Sequence, residues 1–445
     1  MKIFPDTTVY ILCVPAIETG GPTAIHQLAS QMTALGIRTK IFYVEIAGYD
    51  FEFPVADSYR KYHLDWTREI DDDPHNILVV YEGMPQGIYS LPKIRKVFWW
   101  LSVDNYIASL RGQINRIDCN NLARIPLERF FYFGQSIKIT HWCQSEYARQ
   151  FLQCNGVPQE DVFMVEDYLS WEFLAGGIQP DLAAKENIVA YNPSKGKEVT
   201  EKLIAQRPDI DWRPIENMTP AEVRELLLRA KVYIDFGHHP GKDRIPREAA
   251  MSGCVVITGR RGAAANYVDI NIPADFKMAD EDSAGILQKI EAVFAEFNQA
   301  YQHQEVYRQR IWGDYPRFVQ EITAALEIDA GQVPVWSAVL NDDAGQGVDI
   351  ARALWELNEE YALEFIVDNW LAKVARPSEL IHEEKGRRYL RLNDQASVEI
   401  LSTEDASFLY REGRIKKFFA KDTGQDKGYF WQLLPDMRRE DLLLL

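Results

Sequence analysis

Short patterns of buried strands alternate with helical patterns along most of this chain, and this alternation constrains the fold more than any other feature. Residues 8–14 (TVYILCV) form an apolar, β-branched run, Gly20-Gly21 follows as a turn, and a helical apolar face begins at Ile25. A second strand pattern comes next, at 39–44. A strand, a glycine loop, a helix and a strand in this order predict the start of a parallel α/β sheet.

The alternation continues in two series. The first has strand patterns at 76–81, 96–101 and 138–141 and a helix at 145–153, and it lapses around 167–177. The second has strands at 187–191, 211–215, 231–236 and 254–258, helices at 198–206, 220–230 and 246–252, and two amphipathic helices at 280–299 and 302–326. We therefore predict two Rossmann-like domains, residues 1–175 and 176–330, that face a cleft at the carboxyl ends of their strands.

The last part of the chain has a different pattern. A linker at 331–334 is followed by a helical region at 348–375 and then by short alternating strands, such as 389–392, 397–401 and 408–411. We predict a separate α+β domain over 331–445. The predicted fold class is thus α/β, with two Rossmann-like domains and a small C-terminal α+β domain.

Charge and cysteine content limit the classes of partner and compartment. The 445 residues include 66 Asp and Glu against 49 Lys and Arg, a formal charge of −17, which disfavours a general nucleic-acid binder. Five cysteines without a C-x-x-C pair fit reduced thiols. Because no run approaches the roughly 20 apolar residues of a membrane span, we predict a cytoplasmic protein, and peripheral contact with the inner membrane face stays open.

Three features of the first domain could take part in chemistry. Gly20-Gly21 before a helix can bring backbone amides near a phosphate or a sugar, although a tight turn without a ligand is the alternative. Asp104 follows a predicted strand, where a carboxylate would face the cleft, but Asp also commonly caps turns. His141 ends another strand, and such a histidine is either a catalyst or a structural hydrogen-bonding residue.

The second domain carries a concentration of basic residues. Lys195 and Lys197 lie in the turn NPSKGK and could neutralise a diphosphate, or they could be a solvated pair. The segment 235–253 (DFGHHPGKDRIPREAAMSG) then supplies further cations and ends on a helix that bears Glu248. Arg and Lys suit phosphate oxygens and a helical carboxylate suits a ribose diol, although a plain helix start is the alternative. This basic patch consists of Lys195, Lys197, Lys242, Arg244 and Arg247.

We predict no metal site, because the adjacent histidines His238 and His239 would point apart and no carboxylate or cysteine is expected at ligand spacing around them.

These residues resemble the GT-B nucleotide-sugar glycosyltransferases, in particular family 4, over about residues 8–326. The matching segments are Gly20-Gly21 with its helix, 141–147 (HWCQSEY), 192–196 (NPSKG) and 247–256 (REAAMSGCVV). In that family the second glutamate of an E-x7-E motif binds the donor ribose, and Glu248 matches it. Pro240 stands where the first glutamate would be, which leaves His238, His239 or Asp235 as substitutes.

The resemblance implies a transferase that moves a sugar from a nucleoside diphosphate sugar to a glycan or a lipid-linked acceptor in surface polysaccharide synthesis. It implies no cofactor and no metal, retention of the anomeric configuration, and 302–326 as a closing helix. The site prediction assigns catalytic roles to Asp104, His141, His238 and Arg244, and donor-binding roles to Gly20, Gly21, Lys195, Lys197, Asn217, Lys242, Arg244 and Glu248.

Two alternatives remain open at this point. A nucleotide-sugar 2-epimerase shares the two-domain fold and would release nucleotide without an acceptor. A catalytically silent glycan-binding scaffold is suggested by Pro240 and by the tryptophans of the last domain, Trp336, Trp355, Trp370 and Trp431, which are more typical of a core than of a sugar platform.

Overall fold

The structure is a computed structural model. It describes residues 1–45, 54–62, 64–114, 131–134, 136–169, 173 and 180–328, and five strands between 381 and 433. Among the described helices, none combines the length and the apolar character that crossing a bilayer requires.

The first part of the chain forms a seven-stranded parallel sheet. Its strands are β1 (Thr8–Cys13), β2 (Arg38–Tyr43), β3 (Trp66–Thr67), β4 (Ile77–Tyr81), β5 (Arg95–Trp100), β6 (Ile139–Cys143) and β7 (Val162–Met164), with helices α1 (Gly20–Ala34), α2 (Val103–Ile114) and α3 (Glu146–Cys154) between them. The order is β3-β2-β1-β4-β5-β6-β7. Strand order reverses between β1 and β4, and a doubly wound sheet opens a ligand crevice at such a switch point.

A second, four-stranded parallel sheet follows. Its strands are β8 (Glu186–Tyr191), β9 (Asp211–Pro214), β10 (Ala230–Asp235) and β11 (Val255–Thr258), and its connecting helices are α4 (Lys197–Gln206), α5 (Pro220–Arg229) and α6 (Arg244–Met251). The order β11-β10-β8-β9 places the switch point between β8 and β10. The loops after these two strands contain the basic residues that the sequence singles out.

The third sheet is antiparallel. It contains β12 (Ile381–Glu384), β13 (Arg387–Asn393), β14 (Ala396–Ser402), β15 (Ile415–Ala420) and β16 (Gly428–Leu433), in the order β12-β13-β14-β16-β15. Both predicted strands that fall on described residues, 389–392 and 397–401, lie within β13 and β14. The predicted helix 348–375 and strand 408–411 lie outside the described residues.

The chain divides into two compact units. Both parallel sheets belong to the first unit, which comprises 1–33, 37–169 and 180–311, and the antiparallel sheet belongs to the second. The fold class is therefore α/β, as predicted, and the two Rossmann-like sheets lie in one compact unit. The predicted domain limits at 175 and 330 stay predictions, because each is next to residues outside the described part.

Local sequence explains several helix starts. Thr219 caps α5, with its hydroxyl accepting from the Glu222 amide while the Glu222 carboxylate accepts from the Thr219 amide. This is a capping box with proline at the first helical position, and it accounts for the start of the helix predicted at 220. In the first sheet, the Ser145 hydroxyl caps α3 by accepting from the Ala148 amide at 3.1 Å.

The prediction of two long helices at 280–299 and 302–326 is wrong. The structure has four shorter ones instead: α7 (Ser283–Ala295), α8 (Phe297–His303), α9 (Glu305–Trp312) and α10 (Asp314–Ala325). A cause of the break at Gln304 is visible, because its buried side-chain amide donates to the Val256 carbonyl (2.7 Å) and accepts from the Val256 amide (2.9 Å). Gln304 thus satisfies backbone groups of the edge strand β11, which the sequence pattern does not reveal.

Sequence analysis also missed two short strands, β3 and β7, and the helix α2. Helix α2 begins at Val103, so Asp104 lies in the first turn of a helix and not on a bare strand end. An acidic residue in a first turn is favoured by the helix dipole.

Candidate active site

Two glycines bring the loops at the second switch point into contact. Gly196 caps α4 with φ +61°, and a Cβ there would lie 2.6 Å from the carbonyl carbon of Phe236. A Cβ on Gly237 would lie 2.4 Å from the Cβ of Lys195. Neither position can hold a larger residue without a backbone shift, so the glycines fix Lys195 beside the loop that follows β10.

Four charged side chains form what we call the switch-point cluster: Lys195, Asp235, His239 and Asp243. Lys195 Nζ lies 2.5 Å from Asp243 Oδ2, and His239 Nδ1 lies 2.9 Å from the same oxygen. On the other side of the imidazole ring, Nε2 lies 3.4 Å from Asp235 Oδ1. His239 has no exposed surface, whereas the side chains of Lys195 and Asp243 remain 27% and 17% exposed.

The cluster shifts the ionisation of its own members. Burial by itself lowers the pKa of His239, but the contact with Asp243 and the charges of both carboxylates outweigh it and raise that pKa. Burial by itself raises the pKa of Asp243, but His239 and Lys195 outweigh it and lower that pKa. Both shifts favour the charged forms.

The expectation that no carboxylate lies at ligand spacing around the histidines is wrong. Asp235 and Asp243 are four residues before and four after His239, and the three side chains are close enough to share a cation. The sequence spacing D-x3-H-x3-D was a usable signal. Whether these three side chains hold a metal depends on their geometry.

Three further basic residues and two carboxylates form a second group, which we call the joining cluster: Glu166, Asp167, Lys242, Arg247 and Arg310. Lys242 Nζ lies 2.5 Å from Glu166 Oε2, and Arg247 Nη2 lies 2.7 Å from Asp167 Oδ1. Arg310 contacts the other oxygen of Glu166 at 3.2 Å. Glu166 and Asp167 follow β7 of the first sheet, so these ion pairs join the two sheets, and Lys242 and Arg247 are already paired with carboxylates.

Arg244 reaches from the second sheet to the start of α1. Its Nη2 donates to Gln27 Oε1 at 2.9 Å and lies 3.4 Å from Asp167 Oδ2. A Cβ on Gly20 would lie 3.8 Å from the Arg244 Cδ, and one on Gly21 would lie 3.8 Å from a methyl carbon of Leu101. The predicted glycine turn and the predicted arginine therefore meet at the first switch point.

Asp104 and His238 also meet between the sheets. His238 Nδ1 lies 2.9 Å from Asp104 Oδ2, while the Tyr147 hydroxyl donates to Asp104 Oδ1 at 3.1 Å. The His238 side chain is 53% exposed, so its ring is accessible to solvent. Nearby, the Val103 amide donates to the Pro240 carbonyl at 3.0 Å, which anchors the loop against the first sheet.

Three further predicted donor-binding residues lie on or next to the helices of the second sheet. Glu248 is buried on α6, and its neighbours Ala249 and Ala250 have no exposed surface. Lys197 lies in the first turn of α4 with its side chain 71% exposed, 3.7 Å from Glu201. Asn217 is exposed, with φ +54°, just before α5.

His141 has the surroundings of a core residue. It is buried on β6, and its Nδ1 accepts from the Trp100 indole at 3.0 Å. The ring lies close to Phe98 and Phe131. Burial lowers the pKa of His141 to about 4, so the imidazole is neutral near pH 7. Its position supports the structural alternative, and we leave it out of the mechanism.

Sequence analysis missed two buried carboxylates, Glu82 and Asp269, that accept hydrogen bonds from backbone amides. Glu82 directly follows β4 and is buried, with Oε2 accepting from the Leu101 amide at 3.0 Å; burial raises its pKa to about 8. Its place after a buried strand was a signal. Asp269 accepts from the amides of Glu146 (2.7 Å) and Tyr147 (2.9 Å) at the start of α3, and no local pattern announces it.

No protein-family model matches the sequence, and no curated protein matches it either. Among solved structures, a glycosyltransferase from Rickettsia africae is similar, with a TM-score of 0.51 and 13% sequence identity, covering 73% of this chain and 100% of that one. The chain has a GT-B fold.

Two further solved structures are similar at lower scores. The Anabaena protein Alr3699/HepE in complex with UDP is 10% identical, with a TM-score of 0.49 over 74% of this chain and 100% of that one. WaaG, a glycosyltransferase involved in lipopolysaccharide biosynthesis, is 14% identical, with a TM-score of 0.46 over 73% of this chain and 100% of that one. The likeness to the Rickettsia africae structure confirms the predicted GT-B fold.

Proposed function

We propose that this chain is a glycosyltransferase that moves a sugar from a nucleoside diphosphate sugar to a glycan or a lipid-linked acceptor, as in surface polysaccharide synthesis. The observation that carries the proposal is the meeting of Arg244, from the second sheet, with Gly20 at the switch point of the first. A cation and the glycine-rich first turn of α1, at the carboxyl ends of two facing parallel sheets, suit an anionic, nucleotide-like ligand. The Rickettsia africae protein of the same fold is a glycosyltransferase, which supports the assignment.

The donor would bind mainly to the second sheet. Lys195 and Arg244 are partly exposed cations at its switch point, with side chains 27% and 16% exposed, and both would contact the diphosphate. The Glu248 carboxylate would accept hydrogen bonds from the ribose diol. These cations, with the start of α6, would stabilise the departing diphosphate by fixed charge, so the proposed reaction needs no metal ion.

The acceptor would enter from the first sheet, beside Asp104 and His238. In the retaining reaction that the resemblance implies, the acceptor oxygen bonds to the anomeric carbon on the face from which the diphosphate departs. The bond from that carbon to the phosphate oxygen breaks, and the phosphate oxygen takes the acceptor proton. Asp104 and His238 would orient the acceptor hydroxyl, since one ring face of His238 is accessible. A cytoplasmic location and a peripheral membrane contact stay predictions.

A thermal-shift screen across nucleoside diphosphates tests the donor site. A ligand at about 100 times its Kd stabilises a folded protein by roughly 2.7 kcal/mol, which gives a readily measured rise in Tm. We expect that rise with at least one nucleotide, and we expect Glu248→Gln to abolish it. The exposed Glu225 on α5 provides a matched control, because Glu225→Gln should keep the full shift.

The same experiment separates the alternatives. If no nucleotide raises the Tm, the glycosyltransferase proposal fails and a binding scaffold is favoured. If a nucleotide sugar binds and its nucleotide is released without any acceptor, an epimerase is favoured. Transfer of labelled sugar to a glycan or a lipid-linked acceptor, measured by mass spectrometry, would support the proposed reaction.

A further inference from the structure

We infer that His239 is a positioning residue that stays protonated and, through Asp243, sets where the Lys195 ammonium lies at the second switch point. The inference rests on the proposed function only in the identity of the ligand, a diphosphate. The charges on the His239 ring and on Lys195 do not depend on a bound nucleotide.

Two contacts of the imidazole ring favour a protonated His239. Each ring nitrogen of His239 faces a different carboxylate, Asp243 at 2.9 Å and Asp235 at 3.4 Å. Neither contact has hydrogen-bond geometry, so both act through charge. A neutral imidazole would leave the two carboxylates beside an uncharged ring. The imidazolium carries N–H on both nitrogens and is attracted to both carboxylates.

The charge balance of the cluster gives the same result. Asp235 and Asp243 bring two negative charges, and Lys195 brings one positive charge. A charge buried without a partner is strongly unfavourable, so a second positive charge is needed in contact with the carboxylates. A protonated His239 supplies it. Two neutral groups also contact Asp235: the Tyr233 hydroxyl donates to Oδ2 at 3.1 Å, and the Gly237 amide donates to Oδ1 at 3.0 Å.

A divalent cation fits this arrangement less well. One ion can bind only one nitrogen of the ring, which would leave the opposite nitrogen and its carboxylate outside the coordination sphere. The Lys195 ammonium, 2.5 Å from Asp243 Oδ2, would also repel an ion bound to that carboxylate. We therefore assign the cluster to an imidazolium, and a bound metal becomes an outcome of the test.

The consequence concerns the availability of Lys195. With His239 protonated, Asp243 is neutralised from two sides and Lys195 can turn part of its charge toward a diphosphate. When His239 loses its proton, Lys195 becomes the one close cation on Asp243 in the cluster and is bound to it more tightly. Affinity for a nucleoside diphosphate should then fall as the pH rises through the pKa of His239.

Nitrogen NMR of the unmutated chain, labelled with ¹⁵N at histidine, tests the charge directly. We expect the His239 ring to show the paired N–H signals of an imidazolium at pH 7.5, with no change after a chelator or added zinc. The His239→Gln spectrum, or the Asp243→Asn spectrum if the former does not fold, assigns the signals. A neutral ring, or signals that shift with zinc, would overturn the inference.

A second measurement tests positioning. UDP affinity of the unmutated chain should fall at alkaline pH, whereas His239→Gln should bind about tenfold more weakly with no such step. The exposed His303, on α8, offers a control, since His303→Gln should keep the step. An unchanged step in His239→Gln would contradict the inference.

A third measurement separates this inference from the proposed function. The rate of reductive methylation of Lys195, followed by mass spectrometry without nucleotide, should fall in His239→Gln. If no nucleoside diphosphate binds, the proposed function fails, but the methylation rate of Lys195 still tests whether His239 positions the lysine. Equal Lys195 rates in both chains would show that His239 does not position the lysine.

Discussion

The joining cluster and the switch-point cluster both pair basic side chains with carboxylates, yet they differ in how far water and ligands can reach them. In the joining cluster, Arg247 and Asp167 have side chains only 1% exposed and face each other directly. In the switch-point cluster, the outer pair of Lys195 and Asp243 remains partly exposed. The difference teaches that a cation near a predicted site is available to a ligand only where its ion pair stays partly exposed.

The largest effect should come from breaking the joining cluster. Arg247→Met removes the closer of the two arginines that contact the buried Asp167 carboxylate and leaves the longer Arg244 contact of 3.4 Å, and weakening a buried pair in this way costs about 3 kcal/mol. We expect a loss of that size in the free energy of unfolding of the full chain, measured in urea. The double variant Arg247→Met with Asp167→Leu should recover part of it, since it also removes the buried carboxylate.

An exposed pair provides the control for this variant. Arg213 and Asp211, on β9, lie 2.6 Å apart with side chains 55% and 43% exposed. Arg213→Met should cost less than about 1 kcal/mol, because water screens such pairs. Equal losses in the Arg213 and Arg247 variants would mean that burial does not distinguish the joining cluster.

The sequence predicted the fold well because its signals are local. Apolar runs such as 8–14 are periodic over a few residues, and the capping box at Thr219 is complete within four. One error in the helix prediction involves a distant contact. The side chain of Gln304, where a predicted helix is interrupted, hydrogen-bonds to Val256, 48 residues away. A window along the chain cannot detect such a contact.

The site was harder to predict, for the same reason. Sequence patterns identify Lys242 and Lys195 equally well as basic loop residues. Only the fold shows that Glu166, 76 residues from Lys242, neutralises one of them. The pair of Asp104 and His238 also joins distant segments, so sequence analysis could propose each residue but not their contact.

A buried carboxylate without a cation sharpens the comparison further. Glu82 is buried like Asp167, but it accepts from the backbone amides of Leu101 and Ser102, and burial raises its pKa to about 8. Between the ordinary pKa of glutamate and that value, the unfolded chain has lost a proton that the folded chain keeps. Stability should therefore fall as the pH rises from about 5 to 8, by at most about 1.4 kcal/mol per pH unit from this group.

Glu82→Gln should remove this contribution, and Tm measured against pH should fall less steeply than in the unmutated chain over the same range. Glu225→Gln, on the surface of α5, should leave the slope as it is. If Glu82→Gln and the unmutated chain have identical slopes, Glu82 is ionised in the folded state and another group compensates its charge.

Exchanging a lysine in each cluster should separate stability from binding. Lys195→Met should weaken nucleoside diphosphate binding about tenfold or more, which corresponds to about 1.4 kcal/mol, with a smaller effect on Tm. Lys242→Met should mainly lower the Tm, because it leaves Glu166 without its closest cation, and the folded protein should keep its affinity within about threefold. Titration calorimetry below the Tm of each variant measures the nucleotide affinity, and thermal unfolding measures the Tm. The reverse result would place Lys242 on the diphosphate.

The smallest effect should come from Lys197, which lies two residues from Lys195 but is mostly exposed. Its contact with Glu201 is a helical pair with lysine on the N-terminal side, the weaker orientation, and a positive charge in the first turn of α4 opposes the helix dipole. These two terms nearly cancel, so Lys197→Met should change the free energy of unfolding by less than about 0.5 kcal/mol. Any loss of nucleotide affinity should stay below about threefold and disappear in 0.5 M salt, because it would come from screened, long-range attraction. A loss that persists in salt would place Lys197 in contact with the diphosphate, and the exposed end of the switch-point cluster would then include both lysines.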